Sequence, residues 1–177
     1  MSNLRLLNET EITSSVSSAS VTNIFNSDYD IYKVTVNNLA TVGANAARVD
    51  GRLINTSGSV ITASSYDRAE LSMHTHTSYQ ELRSTSENIM FDFLPATDLS
   101  PEFSSSVIYF FNPFSSSSYT FMLIQGFASI GGQHRSAKSI FVLKQASSIA
   151  GLQLISGTGD NFISGITRTY GLRVDNG

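Results

Sequence analysis

The sequence predicts an all-β protein, an antiparallel β-sandwich of jelly-roll type with about eight to ten strands. Three observations carry that expectation. Apolar and polar residues alternate with a period of two through several segments. Turn-forming clusters of Gly, Asn, Asp, Ser and Pro separate those segments, and no amphipathic helical pattern intervenes. Ser and Thr supply about a quarter of the 177 residues, a β-branched, uncharged palette that suits strands and turns better than helices.

The first segment, Met1 to Ser20, reads as an N-terminal arm or first edge strand, and residues 21–177 as one sandwich-sized domain. In that arm and its junction, Leu6, Leu7, Ile24 and Phe25 are the candidate interface residues, expected to lack enough cover from their own chain. The Asn26-Ser-Asp-Tyr-Asp30 segment resembles a fragment of a calcium loop, but it lacks the third carboxylate and the required Gly, so it reads as an Asx bend. Ile31 to Asn37 alternates with Tyr32, Val34 and Val36 inward. Ala47 to Ile54 repeats the pattern, with Ala47, Val49 and Leu53 inward and Arg48, Asp50 and Arg52 outward, and Asn55-Thr-Ser-Gly58 turns it into a hairpin with Val60-Ile61.

Ser78 to Asn88 carries only Tyr79 and Leu82 as apolar residues and reads as a loop. Ser106 to Asn112 and Tyr119 to Phe127 are apolar on nearly every position, the pattern of central strands covered on both sides. Ser139 to Lys144, Gly151 to Ile155 and Gly165 to Val174 complete the set, with Gly157 to Asn161 as a hairpin turn rather than a phosphate cradle, since no Lys or following helix accompanies it.

Composition narrows the function classes. Net charge is -3 with pI near 5.5, so no basic field supports nucleic-acid binding. The absence of Cys excludes disulfides and thiolate metal sites. No run approaches the roughly 18 apolar residues of a membrane helix, and Met1 to Glu11 matches neither a signal nor a transit peptide. Catalytic patterns are missing too: no Ser stands in a Gly-x-Ser-x-Gly elbow, and the carboxylate pairs Glu70 with Asp67 and Glu81 with Glu87 are nominated only by exhaustion, so the chain is expected to be no enzyme and to need no cofactor.

Two binding chemistries remain to be weighed. His74 and His76 lie two apart with Glu70 on the same strand parity, a set that a metal could use only with further ligands. Sugar binding needs exposed aromatics. The Phe residues fall inside strong strands, which leaves Tyr66, Tyr79 and Tyr119 as the candidate platform. Loops at Ser64 to Asn88 and Ser129 to Ala137 are the places for such contact.

The opening Phe25-Asn-Ser-Asp-Tyr-Asp-Ile-Tyr-Lys-Val34, the Arg48 to Ile61 hairpin, Tyr109-Phe-Phe-Asn-Pro-Phe114 and the closing Gly165-Ile-Thr-Arg-Thr-Tyr-Gly-Leu-Arg-Val174 together resemble small jelly-roll structural proteins, of decoration or fibre type, of tailed bacteriophages, the marine phage group in particular. The resemblance implies a virion component assembled in the host cytoplasm: a capsid decoration or cement protein, commonly trimeric, that binds other virion subunits. The alternative within that group is a small tail-fibre, adaptor or receptor-binding tip protein contacting host-surface glycan. Low charge and excess Phe, Ile and Leu agree with a subunit that hides surface in an assembly.

Overall fold

The computed structural model describes residues 3–42, 48–77, 79–95, 97, 103–130 and 133–173, and within them every regular element is a strand. These are β1 (Leu4–Glu11), β2 (Ser18–Val21), β3 (Ile31–Thr41), β4 (Arg48–Asn55), β5 (Tyr66–His74), β6 (Gln80–Glu87), β7 (Met90–Pro95), β8 (Ser104–Phe111), β9 (Thr120–Ile130), β10 (Gln133–Leu143), β11 (Ile149–Ser156) and β12 (Phe162–Leu172). They form two antiparallel sheets packed as a β-sandwich. One has eight strands in the order β1-β12-β3-β8-β9-β10-β5-β6, and the other has four in the order β2-β11-β4-β7.

The core lies between the sheets. Tyr32, Val34 and Val36 of β3 point into it as their alternation requires, and they belong to one buried cluster with Val49 and Leu53 of β4 and Leu152 and Leu154 of β11 from the smaller sheet. Phe93 of β7 and Phe141 of β10 meet edge to face, with ring centroids 5.4 Å apart, a geometry that adds about 0.5–1.5 kcal/mol beyond area burial. The chain passes repeatedly from one sheet to the other. Only β5-β6 and β8-β9-β10 are joined as sequential hairpins.

Four expectations need correction. Ser78 to Asn88 is not a loop: residues 80–87 form β6, the edge strand paired with β5. An edge strand with little to bury needs no apolar alternation, so its sequence hid it. Asp50 keeps the outward parity of Arg48 and Arg52 but is not exposed. It is buried, and its carboxylate accepts from Arg48 Nε and Nη2 at 2.9 Å each and from the Asp92 N–H at 2.9 Å. Ala47 lies outside the described residues. Gly157 to Asn161 turns the chain from β11 in one sheet to β12 in the other, so it links sheets instead of closing a hairpin; Gly159, at φ 85°, supplies the left-handed residue.

The fourth correction concerns Ile24 and Phe25. They are 2% and 3% exposed and belong to the core. The Ile24 N–H donates to the Ala150 carbonyl at 2.9 Å. The Phe25 ring contacts Tyr32 and Phe110 at centroid distances of 4.9 and 4.8 Å. The segment after β2 is therefore folded down onto its own domain. The bend that follows is the Asx turn expected, with the Asp28 N–H donating to Asn26 Oδ1 at 2.9 Å.

Candidate functional site

A sandwich of eight strands against four leaves the outer face of the larger sheet uncovered by any of the described residues. The antiparallel register lines up its outward side chains in rows. One row runs Leu4, Leu172, Ile31, Phe111, Phe121 and Val142 across six strands. The next runs Leu6, Tyr170, Lys33, Tyr109, Leu123, Ile140 and Ala69. Phe121, Phe127 and Ile140 are 46%, 56% and 51% exposed. The strands expected to be covered on both sides are covered on one. They are central in the sheet, and their second apolar face meets solvent.

Below these rows the face dips into a hollow of about 550 Å³, floored by Val107, Tyr109, Leu123, Gln125 and Phe127 and flanked by Lys33 and Lys138. Carboxylates toward the sheet edges are paired: Glu9 with Arg168, and Asp67 with Lys144 at 2.9 Å. Lys144, with the Ser86 N–H, holds the Asp67 carboxyl below its usual range.

A second cavity, of about 610 Å³, opens where β5, β9 and β10 end. Met73, Tyr79, Phe103 and Phe127 give it an apolar wall, and His74, Thr75, Ser129 and His134 a polar one. The two loops expected to make contacts meet here. The Thr75 N–H donates to the His134 carbonyl at 3.0 Å, and the His134 N–H donates to Thr75 Oγ1 at 3.2 Å. Of the three tyrosines read as a platform, Tyr79 lines this cavity and Tyr119 is exposed elsewhere. Tyr66 is buried: its hydroxyl accepts from the Leu53 N–H at 3.0 Å and donates to the Ile61 carbonyl at 3.2 Å, and burial pushes its pKa up to about 12.

Beneath that cavity is a buried ionic cluster. Arg135 Nη2 donates to Glu70 Oε1 and to Asp92 Oδ2, each at 2.8 Å, and so ties β10 and β5 of the larger sheet to β7 of the smaller. The Ser72 hydroxyl donates to Glu70, and Arg68 stands 3.7 Å from its second oxygen. Phe91 is held between two guanidinium groups, with Arg48 at 3.8 Å and Arg68 at 5.1 Å from the ring centre.

Glu70 is thus committed to Arg135. His74 and His76 do come together, with ring centroids 5.7 Å apart, and His134 joins them around a cavity of about 250 Å³. Among the described residues, however, no three His, Asp or Glu side chains are placed to hold a metal ion. Burial, followed by Arg135 and His76, lowers the pKa of His74, so the imidazole is held toward its neutral form.

No protein-family model, no curated protein and no solved structure matches the chain. The reading of the site rests on its own geometry.

Of the four nominated interface residues, Leu6 alone is well exposed, at 51%, in the second apolar row. A bulge between Leu6 and Asn8 turns the neighbouring Leu7 against the core. The larger candidates were missed: Tyr109, Phe121, Leu123, Phe127 and Ile140. Their signal was present. Strands apolar on both parities need two covers, and no segment of the sequence offered the second.

Proposed function

We propose that this chain is a non-enzymatic structural protein of a tailed-bacteriophage virion, a capsid decoration or cement protein of jelly-roll type that docks onto neighbouring subunits. The observation that carries the reading is the bare apolar face of the larger sheet. Eight strands about 4.8 Å apart and about 25 Å long give a sheet face of roughly 800 Å², apolar along its two rows and polar toward β6, and the whole face is the size one partner contributes to a standard stable interface. Monomeric proteins rarely leave a contiguous apolar patch larger than a few hundred Å² uncovered. Aromatic enrichment with few charges is also the composition of an interface centre. A homotrimer seated on the virion surface is the assembly this reading takes, with no nucleic acid or membrane among its partners.

The test is co-sedimentation with virion heads assembled without this protein, together with mass measurement by light scattering. Saturable binding by an oligomer supports the reading. Indifference to heads removes it.

A second reading has its own observation. The aromatic-walled cavity formed by Tyr79, Phe103 and Phe127, with hydroxyl and imidazole groups opposite, has the mixed lining of a carbohydrate site. It fits a tail-fibre, adaptor or receptor-binding tip that contacts host-surface glycan. Binding to host cells, with heads ignored, selects it.

A further inference from the structure

The charges on the bare face specify the chemistry of what covers it. The four central strands, β3, β8, β9 and β10, present two charged side chains outward, Lys33 and Lys138. Arg135, the other formal charge on these strands, points inward to Glu70 and Asp92. Neither lysine meets a carboxylate among the described residues. They stand on opposite flanks of the hollow, three strand spacings apart across the sheet and, because Lys33 is level with Ile140, two residues apart along it, about 16 Å in all.

Covering this face desolvates both ammonium groups, and a desolvated cation needs a counter-charge. We infer that the docking partner is a protein surface that is itself apolar and carries acidic side chains about 16 Å apart, placed to meet Lys33 and Lys138. A second copy packed face to face is a poor occupant. It would enclose four lysines, two from each copy, with no carboxylate from the central strands of either, and like charges juxtaposed in an interface are disfavoured. The apolar rows supply adhesion, and the two lysines set register and exclude basic or neutral partners.

This inference rests on the docking reading, but its test uses a defined probe. Two labelled synthetic peptides of about twelve residues, alternating Leu and Thr, are made identical except at two positions four residues apart. An extended strand places those positions about 13 Å apart on one face, and the flexible lysine stems close the remaining few ångströms. One peptide carries Glu there and the other Gln. Binding is followed by fluorescence anisotropy at about 0.05 M and about 0.5 M salt, where screening differs strongly.

The expected result is that the Glu peptide binds about tenfold tighter than the Gln peptide at low salt. That preference disappears at high salt and in the Lys33→Gln/Lys138→Gln variant, whose unchanged circular dichroism shows that it is folded. Equal binding of the two peptides, binding of neither, or a preference that survives the double variant overturns the inference. So does a wild-type dimer in light scattering that Phe121→Glu disperses, because a second copy would then occupy the face. Co-sedimentation with virion heads reads the parent proposal separately: loss of head binding in Phe121→Glu but not in the lysine variant supports docking and rejects the acidic partner.

Discussion

Replacing Arg135 with Met tests whether the buried ionic cluster holds the two sheets together. Among the described residues, Arg135 is the single cation within 3 Å of both Glu70 and Asp92, and the side chains of these acids are 0% and 11% exposed. Methionine keeps much of the volume and removes the charge, leaving two carboxylates facing each other with little water. Breaking a buried ion pair by removing one partner costs about 3–5 kcal/mol. Glu70 keeps the Ser72 hydroxyl and a 3.7 Å approach to Arg68, which places the expected loss near the lower end, about 3 kcal/mol. At about 2–4 °C per kcal/mol for a chain of this size, Tm falls by roughly 6–12 °C. The chain has no Trp, so urea unfolding is followed by far-ultraviolet circular dichroism, and the midpoint should fall with an unchanged slope. The companion variant Glu70→Leu/Asp92→Asn/Arg135→Met, which removes the three charges of the clamp together and leaves Arg68 its bond to the Phe91 carbonyl, should recover most of the loss. A loss under about 1 kcal/mol in the single variant, or no recovery in the triple one, would refute the clamp.

Other substitutions separate the remaining assignments. Tyr66→Phe leaves the Leu53 N–H and the Ile61 carbonyl without their buried partner and should cost about 1–3 kcal/mol in urea unfolding. Wild-type stability should also depend on alkaline pH through this residue. Its pKa is about 12 folded against 10.0 as the reference, so the contribution is complete below pH 10 and is lost as pH rises through 12, by about 2–3 kcal/mol; Tyr66→Phe lacks that limb of the pH profile. Phe25→Ala should destabilise folding by about 3–5 kcal/mol, whereas Leu6→Ala should change it by under about 0.5 kcal/mol and weaken assembly instead; the reverse order would return Phe25 to the interface. Tyr79→Ala should abolish any glycan binding seen on an array while leaving head co-sedimentation intact, and loss of both would show that the two surfaces are one.

The fold class was legible because strands of a two-sheet core advertise themselves. The alternation of Tyr32, Val34 and Val36 could bury nothing except as a strand, and the turn at Asn26 to Asp30 named its own chemistry. Edge elements advertise less. β6 has a polar sequence because an edge strand outside the core needs no apolar face, and it reads as a loop until β5 is seen beside it. The same limit hid the site. Register decides which side of the sheet Phe121 or Phe127 occupies, and local pattern reveals that both sides are apolar without revealing that one lacks a cover. Ile24 and Phe25 failed for a related reason. They belong to a connecting segment rather than to a strand, and only the tertiary fold, with Phe110 waiting beneath, makes them core. The Arg135-Glu70-Asp92 cluster joins residues far apart in the chain, and no spacing in the sequence announces it.

Docking through the bare sheet face is tested most directly by co-sedimentation of wild type, Phe121→Glu and Tyr79→Ala with virion heads assembled without the protein. Docking through the face requires wild type and Tyr79→Ala to bind saturably while folded Phe121→Glu stays in the supernatant. Binding of Phe121→Glu equal to wild type would contradict it, as would a wild type that ignores heads and binds host cells.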